Sequence, residues 1–232
     1  LLDTVERLGI EKDTLIFFTS DNGPENNAGH SGPYQERKRS LLEGGVDALQ
    51  LRAKGHERRE ITQIAHELAP LCRAGNVPFI VNDFVEIARE VGADGVHLGQ
   101  DDGEIGDARA ALPAGSLVGR STHTPAQARA ALKEGASYIG FGPLFPTPTK
   151  EGRPGIGLGD LEEVERAVGA EIPVFCIGGI KAENLSQVLG AGASRVVIVS
   201  GLLQAEDIQG ACRQVRELLG GQVIGQSAEH RA

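Results

Sequence analysis

A repeated phrase, in which glycine and a second small or apolar residue precede a short apolar run, constrains the fold of this chain most. It occurs at residues 45–51, 92–98, 135–141 and 192–198. The glycine suits the position that follows a helix C-terminus, and the apolar run suits a strand of a parallel sheet. The repetition therefore predicts a series of β/α units.

The rest of the chain fills in the same alternation. We expect strands near 46–52, 78–83, 95–99, 117–121, 138–142, 173–178 and 195–200. We expect helices near 58–74, 84–91, 105–112, 125–134, 160–168, 182–190 and 206–219. Regular alternation with right-handed crossovers favours an α/β TIM barrel, (β/α)₈, over an open doubly wound sheet.

A barrel of this kind needs one more strand, and the N-terminal region has one candidate. Residues 15–19 (Leu-Ile-Phe-Phe-Thr) have the apolar, β-favouring character of a first strand, so we expect them to replace it. Residues 21–39 lack apolar periodicity and are expected to form a long mobile loop. The expected organisation is an atypical segment at 1–45, a barrel at 46–219 and a polar tail at 220–232.

Composition excludes several classes of partner. The net charge of −9 argues against a nucleic-acid surface, so phosphate recognition has to come from a local cluster of cations. No run approaches the roughly 18 apolar residues that span a membrane. The 3 cysteines are widely spaced, which indicates core thiols and a reducing cytoplasm. The expected partners are therefore small phosphorylated molecules and, in a homo-oligomer, further copies of the chain.

A proline-rich segment at 141–150 (Phe-Gly-Pro-Leu-Phe-Pro-Thr-Pro-Thr-Lys) follows a predicted strand and ends in groups that bind anions. Its prolines limit the backbone, so Thr147, Thr149 and Lys150 are offered to an anion at little entropic cost. The segment taken alone suits a stiff surface connection equally well.

Polar residues also follow the other predicted strands. Gln50, Arg52 and Lys54 alternate with Leu49 and Leu51, which places all three on one face, towards the barrel mouth. A charged face on a buried strand needs a partner. An anionic ligand such as a diphosphate would supply one, and a rim salt bridge with a glutamate of the following helix is the alternative.

Carboxylates end two neighbouring strands, at Asn82-Asp83 and at Gln100-Asp101-Asp102. Such a pair suits Mg²⁺, which takes one or two carboxylates and completes its shell with water and phosphate. The alternative is that Asp83 and Asp101 cap the helices that follow. Their position beside the Gln50 strand favours the metal.

The later strands end in a hydroxyl and in glycines. Ser121 is a ligand candidate, whereas His97 and His123 are expected to be structural. Gly178-Gly179 and Ser200-Gly201 allow backbone N–H groups to approach a phosphate closely. One anion site with a metal and another built from backbone would suit two phosphorylated substrates. Transfer of a carbon group away from a diphosphate fits that layout.

The polar strand ends and the proline-rich segment form a series of seven short motifs along the chain. They begin at Gln50 (Gln-Leu-Arg-Ala-Lys), Asn82 (Asn-Asp), His97 (His-Leu-Gly-Gln-Asp-Asp), Ser121 (Ser-Thr-His-Thr), Gly140 (through Lys150), Ile177 (Ile-Gly-Gly-Ile) and Val199 (Val-Ser). In this order and spacing the chain resembles thiamine-phosphate synthases over about residues 43–219. The resemblance implies a TIM barrel that joins 4-amino-2-methyl-5-(diphosphooxymethyl)pyrimidine to a thiazole phosphate. It also implies Mg²⁺ and a dissociative course, in which diphosphate leaves before the thiazole nitrogen attacks.

The resemblance implies a role for each matched residue. The pyrimidine diphosphate would be held by Gln50, Arg52, Lys54, Asn82, Ser121 and Lys150, of which Arg52, Lys54, Ser121 and Lys150 would be catalytic. The metal would be held by Asp83 and Asp102, and the thiazole phosphate by Thr147, Thr149, Gly179, Val199 and Ser200. Ala53 and Arg120 depart from the family pattern, which usually has an acidic residue and a small apolar residue there.

The N-terminal segment departs further. Residues 13–24 (Asp-Thr-Leu-Ile-Phe-Phe-Thr-Ser-Asp-Asn-Gly-Pro) and 37–45 resemble part of a sulfatase, although the segment that supplies the sulfatase nucleophile has no counterpart. Sulfatase activity is therefore not expected. The alternatives to an active transferase are a phosphate-binding barrel impaired by its replaced first unit and a barrel related to thiazole tautomerase. Asp83, Asp102 and Lys150 argue against the tautomerase.

Overall fold

The computed structural model describes residues 48–53, 55–146 and 154–203, the backbone of 14–17, and residues 207, 210–211, 213–215 and 217–219. For Ser200 and Leu203 the backbone alone is described. The predicted loop at 21–39, the predicted tail at 220–232 and the site candidates Lys54, Thr147, Thr149 and Lys150 lie outside the described residues.

One sheet of 8 strands organises the described chain, and its strands lie side by side in sequence order. They are β1 (Thr14–Phe17), β2 (Ala48–Leu51), β3 (Phe79–Asn82), β4 (Gly95–Leu98), β5 (Leu117–Thr122), β6 (Tyr138–Phe141), β7 (Val174–Ile177) and β8 (Val196–Val197). Each neighbouring pair from β2 to β8 is parallel. The predicted strands from 46–52 onwards are therefore confirmed as a parallel sheet.

Helices follow the strands as the alternation predicts. They are α1 (Arg58–Ala74), α2 (Val85–Val91), α3 (Ile105–Ala111), α4 (Pro125–Lys133), α5 (Leu161–Val164, continued by a π-helical turn at Glu165–Gly169), α6 (Ala182–Gly190) and α7 (Ser200–Leu203). Gly92 ends α2 with φ of 64°, in the left-handed conformation that the repeated glycine predicts. Within the described chain, no helix combines the length and apolar character that a membrane crossing requires.

The first strand corrects the sequence prediction. A strand does form at Thr14–Phe17, but it pairs antiparallel with β2, with Thr14 opposite Leu51 and Phe17 opposite Ala48. The first strand of a TIM barrel runs parallel to its neighbours, so the expected replacement by residues 15–19 is wrong in orientation. Apolar, β-branched residues predict a strand but carry no information on its direction. Within the described residues the hydrogen-bonded order runs from β1 to β8 without closing.

The two faces of the sheet carry different residues. On one face, Leu49, Leu51 and Val81 belong to the larger apolar core, which also contains the buried residues of the helices. On the other, a smaller cluster forms from Ala48, Ile80, Leu117, Tyr138, Phe175 and Val197. Because side chains alternate along a strand, Gln50 and Asn82 share this second face, as predicted for Gln50. The parallel strands thus bring their polar C-terminal residues to one place.

Candidate active site

A cavity of about 90 Å³ lies where β2 to β8 place their inward-facing and C-terminal residues. Its lining includes six of the predicted site residues, namely Gln50, Arg52, Asn82, Asp83, Asp102 and Ser121, together with His97, Gly99, Tyr138, Gly140, Phe175, Ile177 and Val197. The first six belong to the pyrimidine diphosphate and metal sets. The structure therefore gathers residues that are up to 71 positions apart, from Gln50 to Ser121, into one cleft.

Gln50 is unusual among the cavity residues because its buried amide nitrogen lacks a hydrogen-bond acceptor in the described part of the chain. Its side chain is 2% exposed, and its Nε2 has no hydrogen-bond partner among the described residues. A buried amide donor without a partner costs about 1–3 kcal/mol, so such groups usually have an explanation. Because the atom belongs to a residue that lines the cavity, a water molecule or a ligand in the cavity can supply the missing acceptor.

Asp83 is held at the end of β3 by a tight backbone turn. The N–H of Phe84 donates to the carbonyl of Asn82 at 2.9 Å, and Asp83 between them has φ of 68°. The Asp83 N–H donates to the His97 carbonyl of β4 at 2.9 Å. Positive φ is unfavourable for a residue with a side chain, and such strain concentrates at functional sites. Phe84, not Asp83, is the N-cap of α2, so the capping alternative does not hold here.

Asp102 lies in the turn between β4 and α3. Its Oδ2 accepts a hydrogen bond from the Gly99 N–H at 2.9 Å. The N-cap of α3 is Glu104, which means that neither Asp101 nor Asp102 caps this helix. Asp101 is exposed and does not belong to the cavity lining, whereas Asp102 does.

The two carboxylates of Asp83 and Asp102 fit the chemistry of Mg²⁺. Among the described residues there is no group of three or more His, Cys, Asp or Glu side chains that could hold a metal. Zn²⁺ typically requires such a group, whereas Mg²⁺ is usually coordinated by one or two carboxylates, water and substrate phosphate. The residues present therefore fit a magnesium ion that arrives with a phosphorylated ligand.

A buried network that sequence reasoning missed lies in the cavity wall. The Nε2 of His97 is hydrogen-bonded to the Ser121 hydroxyl at 2.9 Å, and its Nδ1 to the Tyr138 hydroxyl at 3.1 Å. Tyr138 also packs edge-on against Phe175, with ring centroids 5.7 Å apart. The sequence favoured a structural role for His97. The signal that it belongs to the site was strand alternation, since His97 pairs with Asn82 on the neighbouring strand.

The proline-rich segment packs against the glycines after β7. Leu144 N–H donates to the Ile177 carbonyl at 2.9 Å, and Phe145 N–H donates to the Gly178 carbonyl at 3.0 Å. A Cβ atom on Gly179 would lie 2.7 Å from the Phe145 Cβ, so a side chain there would collide with the segment. The described half of the segment, through Pro146, thus ends beside Gly179.

The predicted thiazole-phosphate residues are placed only in part. Gly179 and Val199 are described but are not among the residues that line the cavity. Ser200 begins α7, and its side chain lies outside the described residues, as do Thr147 and Thr149. The structure consequently brings together the described members of the pyrimidine diphosphate and metal sets, whereas Lys54 and Lys150 lie outside the described residues. The thiazole-phosphate set is not described well enough to be tested.

The described thiols take no part in the cavity. Burial raises the pKa of Cys72 to about 12, and it raises that of Cys176 as well. A thiol with a raised pKa is a poor nucleophile at neutral pH. Both are free and buried, as the sequence predicts for core cysteines.

Comparison with known proteins gives the class. A family model described as thiamine monophosphate synthase matches residues 25–202. A thiamine-phosphate synthase from Thermus thermophilus is 45% identical over 186 residues, which cover 80% of this chain and 89% of the relative. One from Halalkalibacterium halodurans is 40% identical over 183 residues, with 78% and 86% covered. The chain belongs to the thiamine monophosphate synthase family.

Within that family the relatives indicate a particular kind of enzyme. Curated thiamine-phosphate synthases match over most of the chain, and they support a transferase of thiamine biosynthesis. A solved thiamine phosphate pyrophosphorylase from Pyrococcus furiosus superposes with a TM-score of 0.66 at 36% identity, covering 82% of this chain and 90% of that one. A 3-hexulose-6-phosphate synthase, at 18% identity and a TM-score of 0.54, shares the fold alone.

Proposed function

We propose that this chain joins 4-amino-2-methyl-5-(diphosphooxymethyl)pyrimidine to a thiazole phosphate, giving thiamine phosphate and diphosphate. The observation that carries the proposal is the Nε2 of Gln50, which has no hydrogen-bond partner among the described residues and belongs to a cavity lined also by Arg52, Asp83 and Asp102. A neutral donor beside a cation and two carboxylates suits a ligand with a polar ring and a charged tail.

The neutral groups are proposed to bind the ring and the charged groups the diphosphate. The Gln50 Nε2 donates to a ring nitrogen, and the Ser121 hydroxyl accepts from the amino group or donates to a second ring nitrogen. Arg52 and Asn82, with Lys54 and Lys150 from the matched motifs, are proposed to hold the diphosphate oxygens. Buried Tyr138 and Phe175 would exclude water from the ring side of the cavity.

Asp83 and Asp102 are proposed to hold Mg²⁺. When bound there, the ion supplies positive charge that stabilises the departing diphosphate. The protein contributes the geometry before substrate arrives: the tight turn fixes the backbone of Asp83, and the Gly99 N–H holds the carboxylate of Asp102. Preorganised charge of this kind lowers a barrier without reorganisation during the reaction.

The bond changes balance without any other reactant. The bond between the pyrimidine methylene carbon and the diphosphate oxygen breaks, and its electron pair leaves with the oxygen. The thiazole nitrogen then gives its lone pair to the methylene carbon to form the new bond. Arg52, Lys54 and Lys150 are the residues proposed to stabilise the developing negative charge, while Ser121 orients the ring.

The remaining expectations belong to the same proposal. Thr147, Thr149, Gly179, Val199 and Ser200 would hold the thiazole phosphate, which suits the glycine beside Phe145. Closure into a complete TIM barrel, a sulfatase-like origin for residues 1–45, a homo-oligomer and a cytoplasmic location stay proposals. Free, buried Cys72 and Cys176 are compatible with a reducing compartment.

The experiment is turnover by the purified chain with both substrates and Mg²⁺. We expect thiamine phosphate and diphosphate to form in equal amounts, and no thiamine phosphate to form when the thiazole phosphate or the ion is left out. A folded protein that forms no thiamine phosphate under saturating conditions would contradict the proposal. Circular dichroism and gel filtration establish that the sample is folded before the assay is interpreted.

A further inference from the structure

Arg120 is a buried cation that stands outside the cavity. It lies on β5 directly before Ser121, so the two side chains point to opposite faces of the sheet. Its side chain is 7% exposed, and it is absent from the residues that line the cavity. A buried guanidinium requires partners, because an unpaired charge in the interior is costly.

The partners of Arg120 are backbone carbonyls of the β4–α3 turn. Its Nη1 donates to the Gly99 carbonyl at 2.7 Å and to the Gly103 carbonyl at 2.8 Å, which are the two ends of that turn. The nearest carboxylates are weaker partners. Glu104 lies at 3.9 Å with its side chain 74% exposed, and Glu134 lies at 3.8 Å with its side chain 43% exposed, so solvent screens both charges.

The same turn carries Asp102, and two further hydrogen bonds stabilise it, one within the turn and one to β5. Asp102 accepts from the Gly99 N–H through its carboxylate at 2.9 Å, and the Gln100 amide donates to the Ser121 carbonyl at 2.5 Å. The Gly99 carbonyl thus accepts from Arg120, while the Gly99 N–H donates to Asp102. The position of the Asp102 carboxylate depends on a turn whose ends are tied to β5.

We propose that Arg120 is a positioning residue that holds the Gly99–Gly103 turn in the conformation in which Asp102 meets the divalent cation. The proposal rests on the assignment of Asp102 as a metal ligand in the proposed function. A turn released from Arg120 samples other conformations, so cation binding has to order it, and affinity falls. The rate at saturating Mg²⁺ changes little, because the occupied site has the same geometry.

The test compares Arg120→Met with the wild-type chain and with Arg109→Met. Arg109 is a matched control, since it too donates to a backbone carbonyl, that of Gly135 at 2.7 Å, and lies on α3 away from the cavity. We expect Arg120→Met to raise the Mg²⁺ concentration for half-maximal turnover about tenfold, because it removes both hydrogen bonds from the guanidinium to the turn. Maximal rate should stay within about threefold, and Arg109→Met should match the wild type.

A second readout needs neither metal nor substrate. Hydrogen exchange of the metal-free protein should show faster exchange of the Gly99 and Asp102 amides in Arg120→Met, with the amides of β6 unchanged. Arg120→Lys keeps the charge but replaces the planar fork, and it should give intermediate values in both measurements. If Arg120→Met does not fold, Arg120→Lys carries the test alone.

The outcomes separate the two levels of inference. Suppose that the wild type requires Mg²⁺ and that the Arg120 variants show the wild-type Mg²⁺ requirement and the wild-type rates of hydrogen exchange. The positioning role of Arg120 is then wrong, and the proposed function is unaffected. If Asp102→Asn has the same Mg²⁺ requirement as the wild type, Asp102 does not bind the ion. The role proposed for Arg120 towards the cation then fails as well.

Discussion

The Nε2 atom of His97 lies 2.9 Å from the Ser121 hydroxyl oxygen, while the other ring nitrogen contacts the Tyr138 hydroxyl at 3.1 Å. His97 is 8% exposed and Tyr138 is 2% exposed, so water competes little for these bonds. The imidazole therefore fixes the rotamer of the Ser121 hydroxyl, which would otherwise turn freely. The Ser121 hydroxyl therefore lines the cavity in a defined orientation, in which the proposed function has it contact the pyrimidine ring.

Replacing His97 tests this relationship. His97→Ala should lower kcat/KM about tenfold or more, since one oriented hydrogen bond is worth roughly 1 kcal/mol and an unpaired buried hydroxyl adds to the loss. His97→Gln should retain part of the activity, because its amide reaches a position similar to Nε2. Steady-state kinetics measure both variants. His66→Ala, which removes an exposed histidine bonded to Glu90, is the control, and wild-type kinetics in His97→Ala would count against the network.

Replacing Gln50 should change substrate binding without lowering the stability of the fold. Its amide donor lacks a partner in the described structure, so Gln50→Leu removes a desolvated polar group and should leave Tm unchanged or raise it by a few degrees. The same change should raise KM for the pyrimidine diphosphate about tenfold or more, because the ring loses its donor. Thermal denaturation and kinetics on one preparation measure both effects. Lower stability with unchanged KM would mean that Gln50 is structural.

The metal assignment predicts the behaviour of Asp102→Asn. The amide keeps a side-chain oxygen for the Gly99 N–H but loses the negative charge, so the fold should survive while the Mg²⁺ requirement rises and turnover falls about 10²-fold or more. Mg²⁺ titration of activity, with circular dichroism as the fold check, provides the measurement. Asp101→Asn, at an exposed neighbour outside the cavity, should behave as wild type. Identical Mg²⁺ curves for both variants would remove Asp102 from the site.

Glu165 predicts a pH dependence of stability that is unrelated to the cavity. Burial raises the pKa of this carboxyl above 4.5, although its oxygen accepts a hydrogen bond from the Ser194 N–H at 2.9 Å. The folded state therefore binds the proton more tightly than the unfolded chain does. The contribution of Glu165 to stability is present below the unfolded pKa and is lost as pH rises through the folded pKa.

Glu165→Gln keeps an acceptor for Ser194 and removes the titration. The Tm of the variant, relative to wild type, should consequently improve as pH increases from about 4.5 to neutral pH. Differential scanning calorimetry across that range measures the difference. The exposed Glu162→Gln is the matched control on the same helix. A difference in Tm that is constant with pH would show that Glu165 titrates alike in both states.

Strand alternation explains what could be predicted from sequence. The repeated glycine phrase located β2, β4, β6 and β8, and the apolar runs between the phrases located β3, β5 and β7. The predicted helix at 58–74 has the observed bounds of α1. The period of two put Gln50 and Arg52 on one face, opposite Leu49 and Leu51, and the structure confirms it. These features follow from local patterns, which a single sequence displays directly.

Features that depend on tertiary contacts were not predictable in the same way. The apolar character of residues 15–19 specified a strand but not its antiparallel pairing, which depends on how the chain returns to the sheet. Arg120 binds backbone carbonyls of a distant turn, and carbonyls have no sequence signature. His97 looked structural because the hydroxyls that it contacts lie 24 and 41 positions away.

The most direct test of the active-site assignment is a crystal structure of the chain with Mg²⁺ and a non-hydrolysable pyrimidine diphosphate analogue. We expect the ring to lie against Gln50 and Ser121, with the Gln50 Nε2 within hydrogen-bond distance of a ring nitrogen. We expect the diphosphate to lie between Arg52 and an ion held by Asp83 and Asp102. An analogue bound elsewhere, or in this cavity with Gln50 still unpartnered and no ion at the two carboxylates, would contradict it.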